Sequence, residues 1–161
     1  MPAAKLKEFL DSQKIKYVTI THSRAFTAQE TAAIVHIPGE EIAKSVIVKI
    51  DDALAMAVLP ASDQINLSLL KASAGAQNIG LASESEFRGR FPECETGAMP
   101  PFGNLYGMPV FAEESLRKDK EIAFNAGSHN ELIRLAYEDF ERLVKPTVVK
   151  FSARRSDATT G

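Results

Sequence analysis

The chain has 161 residues, 45% of them hydrophobic and 25% charged, with nine phenylalanines and no tryptophan, values that fit one globular domain around one core. A net charge of −2, with basic residues spread along the chain, excludes a dominant electrostatic footprint for duplex DNA or an anionic membrane. A single cysteine, Cys94, rules out an internal disulfide and a cysteine-built zinc site; with no apolar run near the ~20 residues that span a bilayer and no signal-peptide core, the chain reads as cytoplasmic.

Leu6, Phe9 and Leu10 recur at helical spacing in residues 3–13, which predicts an opening amphipathic helix followed by a strand at 17–22. Thr27 and Glu30 form a capping box ahead of a second helix that ends near His36 and Pro38. Residues 45–50 and 53–59 are strand-like runs joined by Asp51 and Asp52, a two-residue link suited to a tight hairpin at the sheet's centre. Asn66 starts a helix over 67–74, residues 78–82 form a short strand, and Ser83 with Glu86 caps a helix over 83–90. Further strands are predicted at 109–112, 121–125, 131–135 and 147–151, with a helix at 137–144 stopped by Pro146. Strands outnumber helices, several are consecutive, and no regular βαβ alternation occurs. The expected fold is therefore α+β, one domain over residues 1–151 with a curved mixed sheet flanked by helices, and a flexible polar tail at 152–161.

The segment Gly97 to Gly103, with Pro100 and Pro101 between the glycines, reads in two ways. It is either a surface connection, since Gly and Pro are common turn residues, or a rigid frame that aims backbone groups at a reacting carbonyl. Lys44 at the head of an apolar strand is ordinarily a solvated side chain; Lys49 is a poor substitute for it, because period-two alternation does not give both the same face. His129 after Gly127 and Ser128 suits a loop-bracing histidine. His22 and His36 lack partners at ligand spacing, so no metal and no cofactor is expected. Ser45, Ser128 and Cys94 are conceivable nucleophiles, but no Gly-x-Ser-x-Gly elbow is present, and the carboxylates flanking Cys94 raise a thiol's pKa. Asp51, Asp52, Glu84, Glu86, Glu113 and Glu114 read as solvated charges.

Gly97-x-x-x-Pro101-x-Gly103 resembles the substrate loop of the YbaK and prolyl-tRNA synthetase-associated domain family, which hydrolyses wrongly charged aminoacyl-tRNAs. The resemblance extends to about Phe151 through the 22–30 segment, the Lys44-bearing strand, the Gly127-Ser128-His129 turn and the helix after it. It implies the family's barrel-like sheet and a deacylase that removes a small amino acid from mischarged tRNA. It also implies that Gly97, Pro101 and Gly103 hold the ester and the neighbouring ribose hydroxyl, opposite a Lys44 that steadies the terminal phosphate. Ser45, Phe102, Gly127, Ser128 and His129 would contact the aminoacyl group. Ser45 stands where some members have asparagine or threonine, and Pro100 where others have glycine, serine or threonine, so the edited amino acid is left open. The implied partners are the tRNA acceptor end and a synthetase, with no DNA or membrane. The alternative from another class is a non-catalytic module that binds an aminoacyl or nucleotide-like ligand or a synthetase. Oligomeric state is left open by the pattern.

Overall fold

Asp51 and Asp52 both adopt positive φ, 48° and 69°, the mirror-image turn whose twist matches a tight hairpin. The turn joins β2 (Ala43–Ile50) to β3 (Ala53–Pro60) in an eight-pair antiparallel register from Ala43↔Pro60 to Ile50↔Ala53. Asp51 also fixes the next strand: its Oδ1 accepts the amides of Gln77 and Asn78 at 3.0 and 2.8 Å, which places β5 (Ile79–Leu81) along β2. The computed structural model describes residues 4–23 and 28–154, so the capping box expected at Thr27 and Glu30 lies outside the described residues.

Side-chain alternation along β2 and β3 then divides the interior. Ala43, Ile47, Met56 and Val58 face the larger core with Leu6 and Leu10 of α1 (Ala4–Ser12). That core also takes Tyr137, Phe140 and Val144 of α5 (Tyr137–Val144). Val48, Ala55, Ala57 and Leu59 face the other way, onto Phe151 and Leu70 of α3 (Leu67–Ala74). As expected, Asn66 caps α3 through Oδ1 to the Leu69 amide at 3.0 Å, and Gly75 ends it in the left-handed conformation.

The five-stranded sheet has the order β5-β2-β3-β6-β9, with β6 (Val110–Glu113) and β9 (Thr147–Val149) added in parallel. A second antiparallel sheet runs β1-β8-β7, from β1 (Tyr17–Thr21), β8 (Glu131–Ala136) and β7 (Glu121–Asn125). Among the described residues the two meet through an isolated parallel bridge, Ile42↔Ala123. The α+β reading with a curved mixed sheet holds; hydrogen bonding is divided among separate ladders, and the curvature does not close into a barrel among the described residues. α2 (Ala28–Val35) lies where a second helix was expected, and α4 (Glu84–Phe87) is shorter than expected, passing into a 3-10 turn at Arg88–Arg90.

Residues 152–154 do not join a tail. β10 (Ser152–Arg154) pairs with β4 (Asp63–Ile65), and the Ser152 hydroxyl donates to Asp63 Oδ2 at 2.7 Å. The tether is Glu113, which is corrected from a solvated charge to a buried one, only 1% exposed. Its Oε1 accepts the amides of Phe151 and Ser152 at 2.8 and 3.0 Å, and its Oε2 accepts the Ser115 amide at 2.8 Å. Burial disfavours its charge, but these hydrogen bonds outweigh that and hold the carboxyl below its usual range. Glu113→Ala is expected to cost about 2–4 kcal/mol by stranding buried amides. A carboxyl depressed in the folded chain stabilises above its unfolded pKa, so the titrating part of the wild-type advantage should be full above about pH 4.5 and fade as pH falls through the folded value. Urea melts of both proteins from about pH 3 to neutrality check this; a gap that does not narrow in acid refutes it.

Candidate functional site

The glycine-proline loop begins as a turn with a stated chemistry. The Ala98 amide donates to the Glu95 carbonyl at 3.0 Å across Thr96 and Gly97, and Gly97 has φ 87°. A positive φ at the third residue of a turn is the type II requirement that only glycine meets without strain.

A second loop, between β7 and β8, clamps this turn. The Glu95 amide donates to the Gly127 carbonyl at 2.8 Å, and the Gly127 amide donates back to the Ala98 carbonyl at 2.9 Å, with Gly127 itself at φ 95°. Glu95 Oε1 accepts the His129 amide at 3.0 Å, and His129 Nε2 lies 2.8 Å from the Thr96 carbonyl. A carbonyl only accepts, so Nε2 carries a proton and is committed to bracing the turn. The imidazole Cε1 sits 3.4 Å from where a β-carbon on residue 97 would stand. The Ser128 hydroxyl turns to Asn130 Oδ1 at 2.8 Å and is thereby occupied. The β1-β8 pairing continues one step beyond Thr21, the His22 amide donating to the Asn130 carbonyl at 3.0 Å, so His22 borders the same loop.

Beside the turn lies a pocket of about 330 Å³ whose lining includes Ser45, Ile47, Phe87, Thr96, Gly97 and Met99. The Ser45 hydroxyl is buried and finds no hydrogen-bond partner among the described residues, which leaves a polar group available to a ligand.

The loop is divided along its length. Thr96 and Gly97 are exposed, whereas Ala98 through Gly103, Pro101 included, are buried. Phe102 is corrected from a substrate contact to a core residue: its ring is fully buried, with Phe9, Phe124 and Phe140 at centroid distances of 6.4, 5.7 and 5.8 Å. Gly103 is needed for close packing, since a β-carbon there would stand 2.9 Å from Val110 Cγ2 and 3.0 Å from Met108 Cγ.

Lys44 is adjacent to Ser45 on β2, so the two side chains leave opposite faces of the strand. Ser45 lies opposite Val58 on the pocket side, Lys44 opposite Leu59 on the other, and Lys44 Nζ donates to the Asp63 carbonyl at 2.6 Å. The expectation that Lys44 faces the loop across the pocket is corrected accordingly. Lys49 does share the Ser45 face, but its ammonium is 2.6 Å from Glu86 Oε2; with the Ser83 amide and hydroxyl, it holds that carboxyl down at about 2. Burial, reinforced by Glu93, pushes the Cys94 thiol up, against a weaker opposing hydrogen bond from Tyr106, so Cys94 is not an activated nucleophile. Among the described residues, no group of three or more His, Cys, Asp or Glu side chains is placed to hold a metal ion, and no helix is long and apolar enough to cross a membrane.

Glu95 and Thr96 were not singled out by sequence reasoning, although they supply the carboxylate and carbonyl that fix His129. The available signal was their position: Glu95 and Ala98 are the first and last residues of a four-residue turn with glycine third.

Residues 22–143 match the family model described as an aminoacyl-tRNA editing domain. The "Multifunctional Ser/Thr-tRNA deacylase ProXp-y" of Escherichia coli (strain K12) is 27% identical over 152 residues, covering 91% of this chain and 90% of that protein. The "Prolyl-tRNA editing protein ProX" of Acetoanaerobium sticklandii is 26% identical, covering 89% and 91%. A solved protein provisionally described as a trans-editing enzyme for prolyl tRNA synthetase superposes with a TM-score of 0.80 at 20% identity, covering 94% of this chain and 96% of its own.

Proposed function

The chain belongs to the aminoacyl-tRNA editing domain family, and from that premise we propose that it is a hydrolase of the aminoacyl-tRNA ester, clearing a small amino acid from mischarged tRNA. The observation that carries this reading is the clamped Glu95–Ala98 turn, which presents the Gly97 backbone to a pocket that also holds the unpartnered Ser45 hydroxyl.

The ester is an activated bond, so positioning and fixed dipoles supply much of the acceleration. In this reading the Gly97 amide polarises the acyl carbonyl, His129 keeps the turn rigid, and the amino-acid side chain rests against Ile47, Phe87 and Met99. Ser45 offers a hydrogen bond to a polar group on a short side chain, in keeping with the serine and threonine in the name of the Escherichia coli relative. A second, hydrolytic pocket is useful because a missing methylene changes binding by only about 1–3 kcal/mol at the first. Lys44 keeps its assignment to the terminal phosphate. That group lies outside the amino-acid pocket, and phosphate oxygens are strong acceptors for an ammonium, which here reaches the Asp63 carbonyl at 2.6 Å. The acceptor end of tRNA is the partner in the cytoplasm, with a synthetase as the recruiting protein.

Release of amino acid from a panel of alanyl-, seryl-, threonyl- and cysteinyl-charged tRNAs tests the reading. Wild-type protein is expected to free at least one of them. Lys44→Ala is expected to be slower by about 10–100-fold, the worth of one charge-assisted hydrogen bond, with little change in melting temperature. A protein that binds charged tRNA and releases nothing is a binding module, and the proposal fails.

A further inference from the structure

The amide that the deacylase reading assigns to the substrate carbonyl is not idle. Gly97 N–H donates to Met99 Sδ at 3.3 Å, and both residues line the same pocket. Met99 is only 6% exposed, so its side chain is held in place by the core, while Gly97 is open to solvent. The neighbouring amides of Ala98 and Gly127 are spent on the turn and the clamp. The Gly97 donor is therefore aimed at the pocket and met there by a thioether, one of the weakest acceptors a side chain provides.

We propose that Met99 is a placeholder for the substrate, occupying the Gly97 amide in the empty pocket and yielding it to the acyl carbonyl oxygen. This rests on the deacylase reading and adds a positioning residue to it. A backbone amide without a partner costs free energy, and one bound to ordered water or to a strong acceptor must lose that bond before it can serve the substrate. A thioether satisfies the donor enough to hold the turn in its working geometry, and surrenders it for a carbonyl at a net gain. Sulfur rather than oxygen at residue 99 is thus the informative choice: a hydrocarbon of the same shape leaves the amide to water, and an amide oxygen grips it.

The test compares Met99→Leu with Met99→Gln. The first conserves volume and removes the acceptor; the second keeps the length and supplies a strong one. Because a neutral hydrogen bond is worth about 1 kcal/mol, kcat/KM is expected to be ~5-fold lower for Gln than for Leu, with both variants folded by circular dichroism. A readout independent of turnover uses 15N-glycine-labelled protein without substrate. The Gly97 amide proton should exchange with water faster in Met99→Leu and more slowly in Met99→Gln than in wild type. An unchanged Gly97 amide in both variants, or a Gln variant as active as Leu beside an active wild type, overturns the placeholder. A wild type that releases no amino acid overturns the deacylase reading and the substrate half of this proposal, whatever the amide shows.

Discussion

Gly97→Val is expected to slow deacylation by roughly 100-fold or more while leaving a folded protein, the loss that follows removal of one oxyanion donor from a preorganised site. Two effects coincide at this residue. A β-branched side chain is strained at φ 87°, at a cost of about 1–3 kcal/mol, and the turn responds by rotating the peptide that carries the amide. The new β-carbon would also stand 3.4 Å from His129 Cε1, so the branching methyls press on the imidazole and disturb the Nε2 contact to the Thr96 carbonyl. A stability of ~5–15 kcal/mol absorbs the strain, whereas catalysis depends on the direction of one dipole. Single-turnover release of amino acid and thermal melts of the same sample separate the two. Near-wild-type release from a protein whose melting temperature has dropped would mean that the Gly97 amide takes no part in the chemistry.

Much of the scaffold was legible where local chemistry leaves little choice. The two-residue Asp51-Asp52 link calls for positive φ at both positions, and Asn66 supplies the side-chain cap that starts the helix over 67–74. β4 and β10 escaped because a three-residue strand has no period to read, and what holds them is a contact between distant residues, Ser152 on Asp63. Glu113 misled for the same reason: a glutamate beside another glutamate looks solvated until the amides of residues 151 and 152 are brought to it. In the site, the Gly97 turn followed from the residue types, but the commitment of His129 to Thr96 did not, since it joins loops 33 residues apart. Lys44 shows a different failure. Strand alternation was available to separate it from Ser45, yet the family pattern of adjacent residues drew both toward one pocket.

The two ends of the glycine-proline loop should answer differently to mutation, and Phe102→Ala makes the contrast measurable. The ring is fully buried among Phe9, Phe124 and Phe140, which ties the loop to α1, β7 and α5 at once. Truncating a buried phenylalanine costs about 3–5 kcal/mol through lost burial and the cavity left behind. For a chain of this length that lowers the melting temperature by roughly 8–15 °C. Activity per folded molecule, assayed well below the transition, is expected to stay within a few-fold of wild type, because the clamp on the Gly97 turn is made by Glu95, Gly127 and His129 and not by the ring. Calorimetry with a deacylation assay at low temperature reads both quantities. A large loss of turnover without a loss of stability would place the ring against the substrate after all, and would make the whole loop, not its first turn alone, the reacting surface. The expected opposite pattern divides the loop by what holds each part: the far half is anchored as core through Phe102, while the exposed first turn is held at its angle by Glu95, Gly127 and His129.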